Sequence, residues 1–435
     1  MLPNQVLLGD CSDVLKTIPD ASIDAIVTDP PYGLGNREPT AADIQAYLSG
    51  SDLNHGGDFM GYNWSIPSVA VWKECYRVLK PGGHLLSFAG TRTFDLISVG
   101  IRAAGFENRD TIASYFGTTV LAYIYGSGFP KSLNISKAID KMLGAKREVI
   151  GRGAAGLTAG KIANFAGEKE FDLTAPATDE AKKWDGWGTA LKPAIELWTL
   201  CRKPLIANTV AENVIRHGTG GLNIDRSRIT TKEVTGRGLY KSRGWANQSE
   251  LTGSVTDDWR KGRWPSNLIH DGSEEVTELF PETMSKWGKS EEPFKTSVFL
   301  KNKYGNDRRN ACNEFIGDTG SAARFFYCAK ASKNERSEHP TQKPVKLMEY
   351  LVKLITPVGG VVLDPFTGSG STLVAAKAKE FQYVGIEREL TYHAIAEKRV
   401  AETDIEKDYF DLMESLEEES SENTDCLDMM DGLDE

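Results

Sequence analysis

The sequence predicts an α/β protein built on a doubly wound, mostly parallel sheet. Three observations lead there. Two short apolar runs, Ala25-Ile26-Val27-Thr28 and Val361-Val362-Leu363, each read as a strand buried on both faces. Each run ends in a loop of special composition, Asp29-Pro30-Pro31-Tyr32 after the first and Asp364-Pro365-Phe366-Thr367-Gly368-Ser369-Gly370-Ser371 after the second. Strand-like and helix-like segments alternate around both, as they do in parallel α/β sheets. In such a sheet, loops leaving the carboxyl ends of adjacent strands meet where the strand order reverses, and ligands bind there. Two unlike loops from opposite ends of the chain are therefore expected to build one site.

The elements follow in order. Residues 5–8 read as a strand and residues 11–18 as a short helix whose Val14, Leu15 and Ile18 share an inner face. A turn at 20–22 leads into the strand that ends at Asp29, and a polar, glycine-rich stretch fills 33–61. Residues 69–79 form a helix. Lys80-Pro81-Gly82-Gly83 stops it, because proline cannot continue a helix and glycine tolerates left-handed geometry. A buried strand at 84–88 comes next. Gly151 to Gly167 lacks any period and reads as a loop, either ordering on a ligand or lying passively on the surface. A core strand is expected at 193–200, closed by Arg202-Lys203-Pro204. The final elements are a helix at 347–355, a strand at 361–364, a helix at 372–379 and a strand at 383–387.

These elements divide the chain into core halves at 1–206 and 334–403, with an inserted, basic, glycine-punctuated region at 207–333 that carries Trp245, Trp259, Trp264 and Trp287. Residues 404–435 are acidic and poor in apolar side chains, which predicts a disordered tail.

Composition narrows the function classes. A chain of 435 residues, 40% hydrophobic and 26% charged, is that of a globular protein with room for a large core plus an insertion. No signal peptide and no membrane-spanning run are visible, so a cytoplasmic location is expected. Six cysteines without a CxxC pair suit a reducing compartment, and no histidine has metal-ligand spacing, so no metal is expected. The net charge of -10 is uneven: from Thr403 onward fourteen acids face one lysine, which leaves the rest of the chain at +3. Residues 216–264 hold ten Lys or Arg against five acids. That balance fits a nucleic-acid partner and equally a solvated surface of mixed charge.

The two loops, together with Leu8-Gly9-Asp10-Cys11, Val78-Leu79-Lys80-Pro81-Gly82-Gly83, His339-Pro340-Thr341-Gln342-Lys343-Pro344 and Val384-Gly385-Ile386-Glu387, resemble the amino-methyltransferases of DNA. The order, DPPY before the glycine-rich loop, is that of the β group. The resemblance spans nearly the whole chain. It implies a seven-stranded Rossmann-like methyltransferase sheet and S-adenosylmethionine as cofactor. It also implies double-stranded DNA with a flipped target base as partner, as a monomer or homodimer, in an orphan, phage-like or restriction-modification setting.

The chemistry suits the residues. An exocyclic amine delocalises its lone pair into the ring, and acceptors for its two N–H bonds make that pair available. Asp29 and the carbonyl of Pro30 are suited to accept them, and the resemblance assigns them that role. Pro30 and Pro31 stiffen the loop, and Tyr32 can stack on a base removed from a duplex. Gly368 and Gly370 admit close backbone approach. Leu373 stands where a dinucleotide fingerprint needs a third glycine, and no GK[ST] follows, so a cofactor without a diphosphate is favoured. Asp364, Phe366, Gly368, Ser369 and Gly370 are expected around it, with Glu387 accepting ribose hydroxyl bonds. By resemblance Asp10 lies at the adenine, and Thr341 and Lys343 near the methionine end. Taken alone, Asp10 and Lys343 read more often as a helix cap and a solvated charge. No Pro-Cys dipeptide suggests attack through a thiolate, so direct in-line transfer is expected. Adenine N6 is the expected acceptor, with cytosine N4, an RNA or protein amide, and a non-catalytic DNA-binding protein as alternatives.

Overall fold

The computed structural model describes residues 3–33, 35, 37–53, 65–108, 120–124, 132–154, 170–191, 194–229, 262–284, 319–329 and 342–405. Thr341, Trp245, Trp259, Trp287, residues 155–169 and the tail beyond 405 lie outside these. The strands are β1 (Gln5–Leu8), β2 (Ile23–Thr28), β3 (Leu79–Ala89), β4 (Glu107–Asn108), β5 (Val120–Ile124), β6 (Val149–Ala154) and β7 (Glu170–Thr174). They continue as β8 (Ile195–Arg202), β9 (Leu268–His270), β10 (Glu282–Met284), β11 (Thr319–Ser321), β12 (Tyr327–Cys328), β13 (Val361–Asp364) and β14 (Gln382–Glu387).

Ten of them form one sheet in the order β1-β14-β13-β2-β3-β8-β5-β9-β12, with β4 also on β8. Pairing is parallel except where β8 meets β3, β4 and β5. The sheet is thus mostly parallel, as expected. It exceeds seven strands because the short β4, β9 and β12 extend it.

Side-chain alternation makes the sheet doubly wound. Ala25 and Val27 of β2, with Leu86 and Phe88 of β3, face the helices Val345–Ile355 and Ser371–Ala378. Ile26, Leu85 and Leu363 point the other way, onto Trp72, Cys75 and Val78 of the helix Val69–Val78 and Ile97 and Ile101 of Phe94–Ala103. Every residue of β2 is buried, which explains its unbroken apolar run around Asp24. Asp24 is satisfied by Lys80 Nζ at 2.6 Å and by the Val361 amide at 2.9 Å, so it ties three strands together.

Four departures from the sequence reading have local causes. Lys80-Pro81-Gly82-Gly83 ends the helix but does not form a separate turn; the chain passes directly into β3. Gly82, at φ 82°, absorbs a register shift against β2. The glycine-rich stretch holds a helix, Ala41–Leu48, begun by a reciprocal cap between Thr40 and Asp43 and anchored by the buried Tyr47. Residues 151–154 belong to the hairpin of β6 with β7 and not to a loop. The region 207–333 contributes β9 and β12 to the main sheet, while its β10 and β11 pair in a sheet of their own.

Candidate active site

Parallel pairing sets the carboxyl ends of β1, β14, β13 and β2 side by side, and Asp10, Glu387, the glycine loop and Asp29 follow these ends. The central link is between Thr28, the last residue of β2, and Asp364, the last of β13. The Thr28 hydroxyl donates to Asp364 Oδ1 at 2.6 Å, the Thr372 hydroxyl to Oδ2 at 2.6 Å and the Phe366 amide to Oδ1 at 3.1 Å. Asp364 is buried, and desolvation pushes its carboxyl up to about 6 despite these donors. Its oxygens are taken up in holding the two loops together.

On the β13 side, the turn has a shape that requires glycine. Gly368 and Gly370 have φ of 52° and 83°, and a Cβ on Gly370 would come within 3.0 Å of the Ala396 Cβ. Gly370 begins the helix Ser371–Ala378 without a side-chain cap. Arg399 donates to the Ser369 carbonyl at 2.5 Å and its hydroxyl at 3.0 Å, pinning the loop from behind. Phe366 packs edge-on against Trp72 with ring centroids 6.3 Å apart. Glu387 accepts from the amides of Gly368 at 2.7 Å and Glu389 at 2.8 Å, and burial raises its pKa. A buried carboxylate held by amides, with lone pairs to spare and no ion pair among the described residues, fits a ligand's hydroxyl donors. Asp10 Oδ1 takes the Ser12 amide at 2.9 Å, capping the helix Cys11–Val14, and the Ser12 hydroxyl bond lowers its pKa.

On the β2 side four polar groups converge. The Tyr32 hydroxyl lies 2.6 Å from Asp29 Oδ1 and 2.9 Å from Glu196 Oε1. Lys343 Nζ lies 3.0 Å from Asp29 Oδ2, 3.1 Å from Glu196 Oε1 and 3.1 Å from the Tyr32 hydroxyl. The ammonium also stands 5.4 Å from the Tyr32 ring centroid and 5.0 Å from that of Phe88. Burial raises the Asp29 pKa, Lys343 opposes the rise and Glu196 adds to it. Burial opposes the Lys343 charge, but Asp29 and Glu196 outweigh it and hold that pKa above its ordinary value. The loop itself is fixed by Pro30, which is buried, by the Thr93 hydroxyl on the Tyr32 carbonyl at 2.6 Å and by Gly90, where a Cβ would fall 3.0 Å from the Tyr32 ring.

The structure therefore brings Asp29, Tyr32 and Lys343 together, and separately joins Gly368 to Glu387. Lys343, expected near the cofactor's methionine end, is paired with Asp29. A buried ammonium needs counter-charges, and Asp29 and Glu196 provide them. Glu196 was missed by sequence reasoning. Its signal was a lone carboxylate inside the apolar strand Ile195-Glu196-Leu197-Trp198, and Trp198 Nε1 lies 3.4 Å from its Oε2. Arg399 and Thr372 had no comparable signal. Among the described residues no cluster of His, Cys, Asp and Glu could hold a metal ion.

A family model described as DNA methylase, of the N6/N4 methyltransferases, matches residues 23–120 and 189–398. The chain belongs to this family. The matched stretches contain both loops, Glu196 and Lys343. The family depends on S-adenosylmethionine, so membership makes that the cofactor, and the glycine turn and Glu387 fit its ribose-bearing body. Type II methyltransferase M.BglI of Bacillus subtilis is 30% identical over 168 residues, 39% of this chain and 40% of that protein. Type II methyltransferase M2.DpnII of Streptococcus pneumoniae is 46% identical over 63 residues, 14% of this chain and 24% of that protein. The chain thus spans well under half the length of these relatives. Among solved structures, the cytosine-N4-specific PvuII DNA methyltransferase covers 93% of this chain and 89% of its own at 12% identity, with a TM-score of 0.42.

Proposed function

We propose that the chain methylates an exocyclic amine of a flipped base in double-stranded DNA, adenine N6, by direct in-line transfer. The observation that carries this reading is the adjacency of β2 and β13, which sets Asp29 beside the glycine turn. S-adenosylmethionine, when bound, would supply an electrophilic methyl, its carbon–sulfur bond breaking as the nitrogen–carbon bond forms and the electron pair leaving on the thioether sulfur, after which the amine gives up one proton to solvent. The chain's own residues do the rest. Asp29 as carboxylate accepts one amine N–H, and the Pro30 carbonyl accepts the other. Both favour the geometry in which the nitrogen lone pair leaves conjugation with the ring. The Tyr32 ring covers the base face and offsets part of the few kcal/mol that flipping costs. Glu387 and the turn at Gly368 and Gly370 hold the ribose side. Thr341 and Asp10 complete the cofactor surroundings by resemblance.

An aspartate opening the DPPY loop associates with adenine in this family, whereas serine associates with cytosine. The region 207–333 is assigned to target recognition, with the exposed Trp264, whose ring centroid lies 5.2 Å from the largely buried Arg228 guanidinium, as one aromatic group in its described part. Labelled methyl transfer to DNA, RNA and protein side by side tests the substrate class; label in RNA or protein alone contradicts it. Nucleoside mass spectrometry then tests the base. N6-methyladenine is expected, and N4-methylcytosine without it would overturn the adenine assignment while leaving the Asp29 chemistry intact.

A further inference from the structure

Glu196 lies on β8, antiparallel to β3 and β5, and reaches the site from the far side of Asp29. Its neighbours explain why the strand holds it there. Trp198, two residues on and therefore on the same face, is fully buried, 4.5 Å from the Phe88 ring centroid and 5.9 Å from that of Tyr123. With Lys343 bound to Asp29 Oδ2 and the Tyr32 hydroxyl to Oδ1, both oxygens of Asp29 are engaged before any base arrives. Each oxygen keeps a further lone pair for an incoming amine, and the two donors fix where those lone pairs point. Glu196 faces the same two donors from β8, its Oε1 lying 3.1 Å from the ammonium and 2.9 Å from the hydroxyl oxygen, whose single proton is shared between it and Asp29.

We propose that Glu196 is a positioning residue for the amine site: it is the second anchor of Lys343 and Tyr32, the two groups that orient the Asp29 carboxylate toward the target amine. This inference rests on the amine-methylation reading. Among the described residues, the charged and titratable groups facing Asp29 are Lys343 from the segment before the helix Val345–Ile355, Tyr32 from its own loop, Glu196 from β8 and Asp364 from β13. Removing the Glu196 charge therefore lowers the Asp29 pKa, and removing the Lys343 charge raises it.

The test compares wild type, Glu196→Gln and Lys343→Met. Titration of the Asp29 carboxylate by carbon NMR is read first, because it does not depend on turnover. Glu196→Gln is expected to move the Asp29 titration to lower pH and Lys343→Met to higher pH. In steady-state assays on DNA, Glu196→Gln is expected to lower kcat at least tenfold, to shift the acid limb of the pH profile to lower pH, and to leave cofactor affinity within a few-fold. An unchanged titration together with wild-type kcat in Glu196→Gln would overturn the proposal. If Glu196→Gln does not fold, Glu196→Asp carries the test: a reduced kcat with an unmoved acid limb supports the anchor, and wild-type kcat overturns it. If wild type itself transfers no methyl to DNA, the amine-methylation reading fails, while the NMR titration still decides the coupling of Glu196 to Asp29.

Discussion

The Thr28 hydroxyl donates to the Asp364 carboxylate at 2.6 Å, joining the ends of two adjacent strands that stand 336 positions apart in the chain. The contact fixes the distance between the loop that opens with Asp29 and the loop that turns at Gly368. It also leaves a charge in the core, and that has a measurable effect.

Burial lifts the Asp364 pKa from 3.8 to about 6. Between these values the folded chain retains a proton that the unfolded chain has released, so stability rises as pH falls through about 6. Relative to Asp364→Asn, which cannot titrate there, wild type should gain roughly 1.4 kcal/mol between about pH 8 and pH 5. Denaturant unfolding of both proteins across that range checks it. A constant difference would show that Asp364 is not a buried titrating group.

The two glycines Gly370 and Gly359 separate crowding from backbone strain. Both have positive φ, 83° and 68°, but a Cβ at Gly359 meets nothing within 4 Å whereas one at Gly370 meets Ala396 at 3.0 Å. Gly359→Ala should cost about 1–2 kcal/mol, the left-handed penalty alone. Gly370→Ala should cost more and should also weaken cofactor binding. Equal losses in chemical denaturation would show that the helix Leu390–Ala401 yields freely to the turn.

Glu387 combines two roles that one substitution tests. Its carboxylate holds the Gly368 amide and is proposed to accept ribose hydroxyls. Glu387→Ala should therefore weaken S-adenosylmethionine by roughly 1.5–3 kcal/mol, the range for hydrogen bonds to a charged group. Calorimetry reads this directly, and unchanged affinity would reassign the ribose contact.

Asp29 accepts an amine N–H most strongly when ionised, and its pKa is raised by burial and by Glu196. The acid limb of the kcat profile should accordingly lie above the ordinary aspartate range, with activity falling as pH drops through the raised value. A profile flat down to about pH 4 would contradict a raised pKa at Asp29.

Much of this was legible in the sequence because it rests on local rules. The runs before Asp29 and Asp364 announced buried parallel strands, and Gly368 and Gly370 announced a turn whose backbone excludes side chains. The helix Ala41–Leu48 was also legible in principle, since Thr40 and Asp43 form a capping pair, but the surrounding glycines masked its pattern. The fate of Lys343 was not. Its environment is set by Glu196, 147 positions away, through a strand pairing that no local pattern encodes. The extra strands β9 and β12 escaped for a similar reason: two or three residues gain a place in a sheet only from the neighbour that receives them.

The central claim is that Asp29 serves the chemistry and the glycine turn serves the cofactor, on two loops joined only through their strands. It is tested most directly by measuring labelled methyl transfer to DNA alongside calorimetric S-adenosylmethionine binding in Asp29→Ala. Transfer should be abolished while cofactor affinity stays within a few-fold of wild type. Transfer that persists in Asp29→Ala would contradict the account.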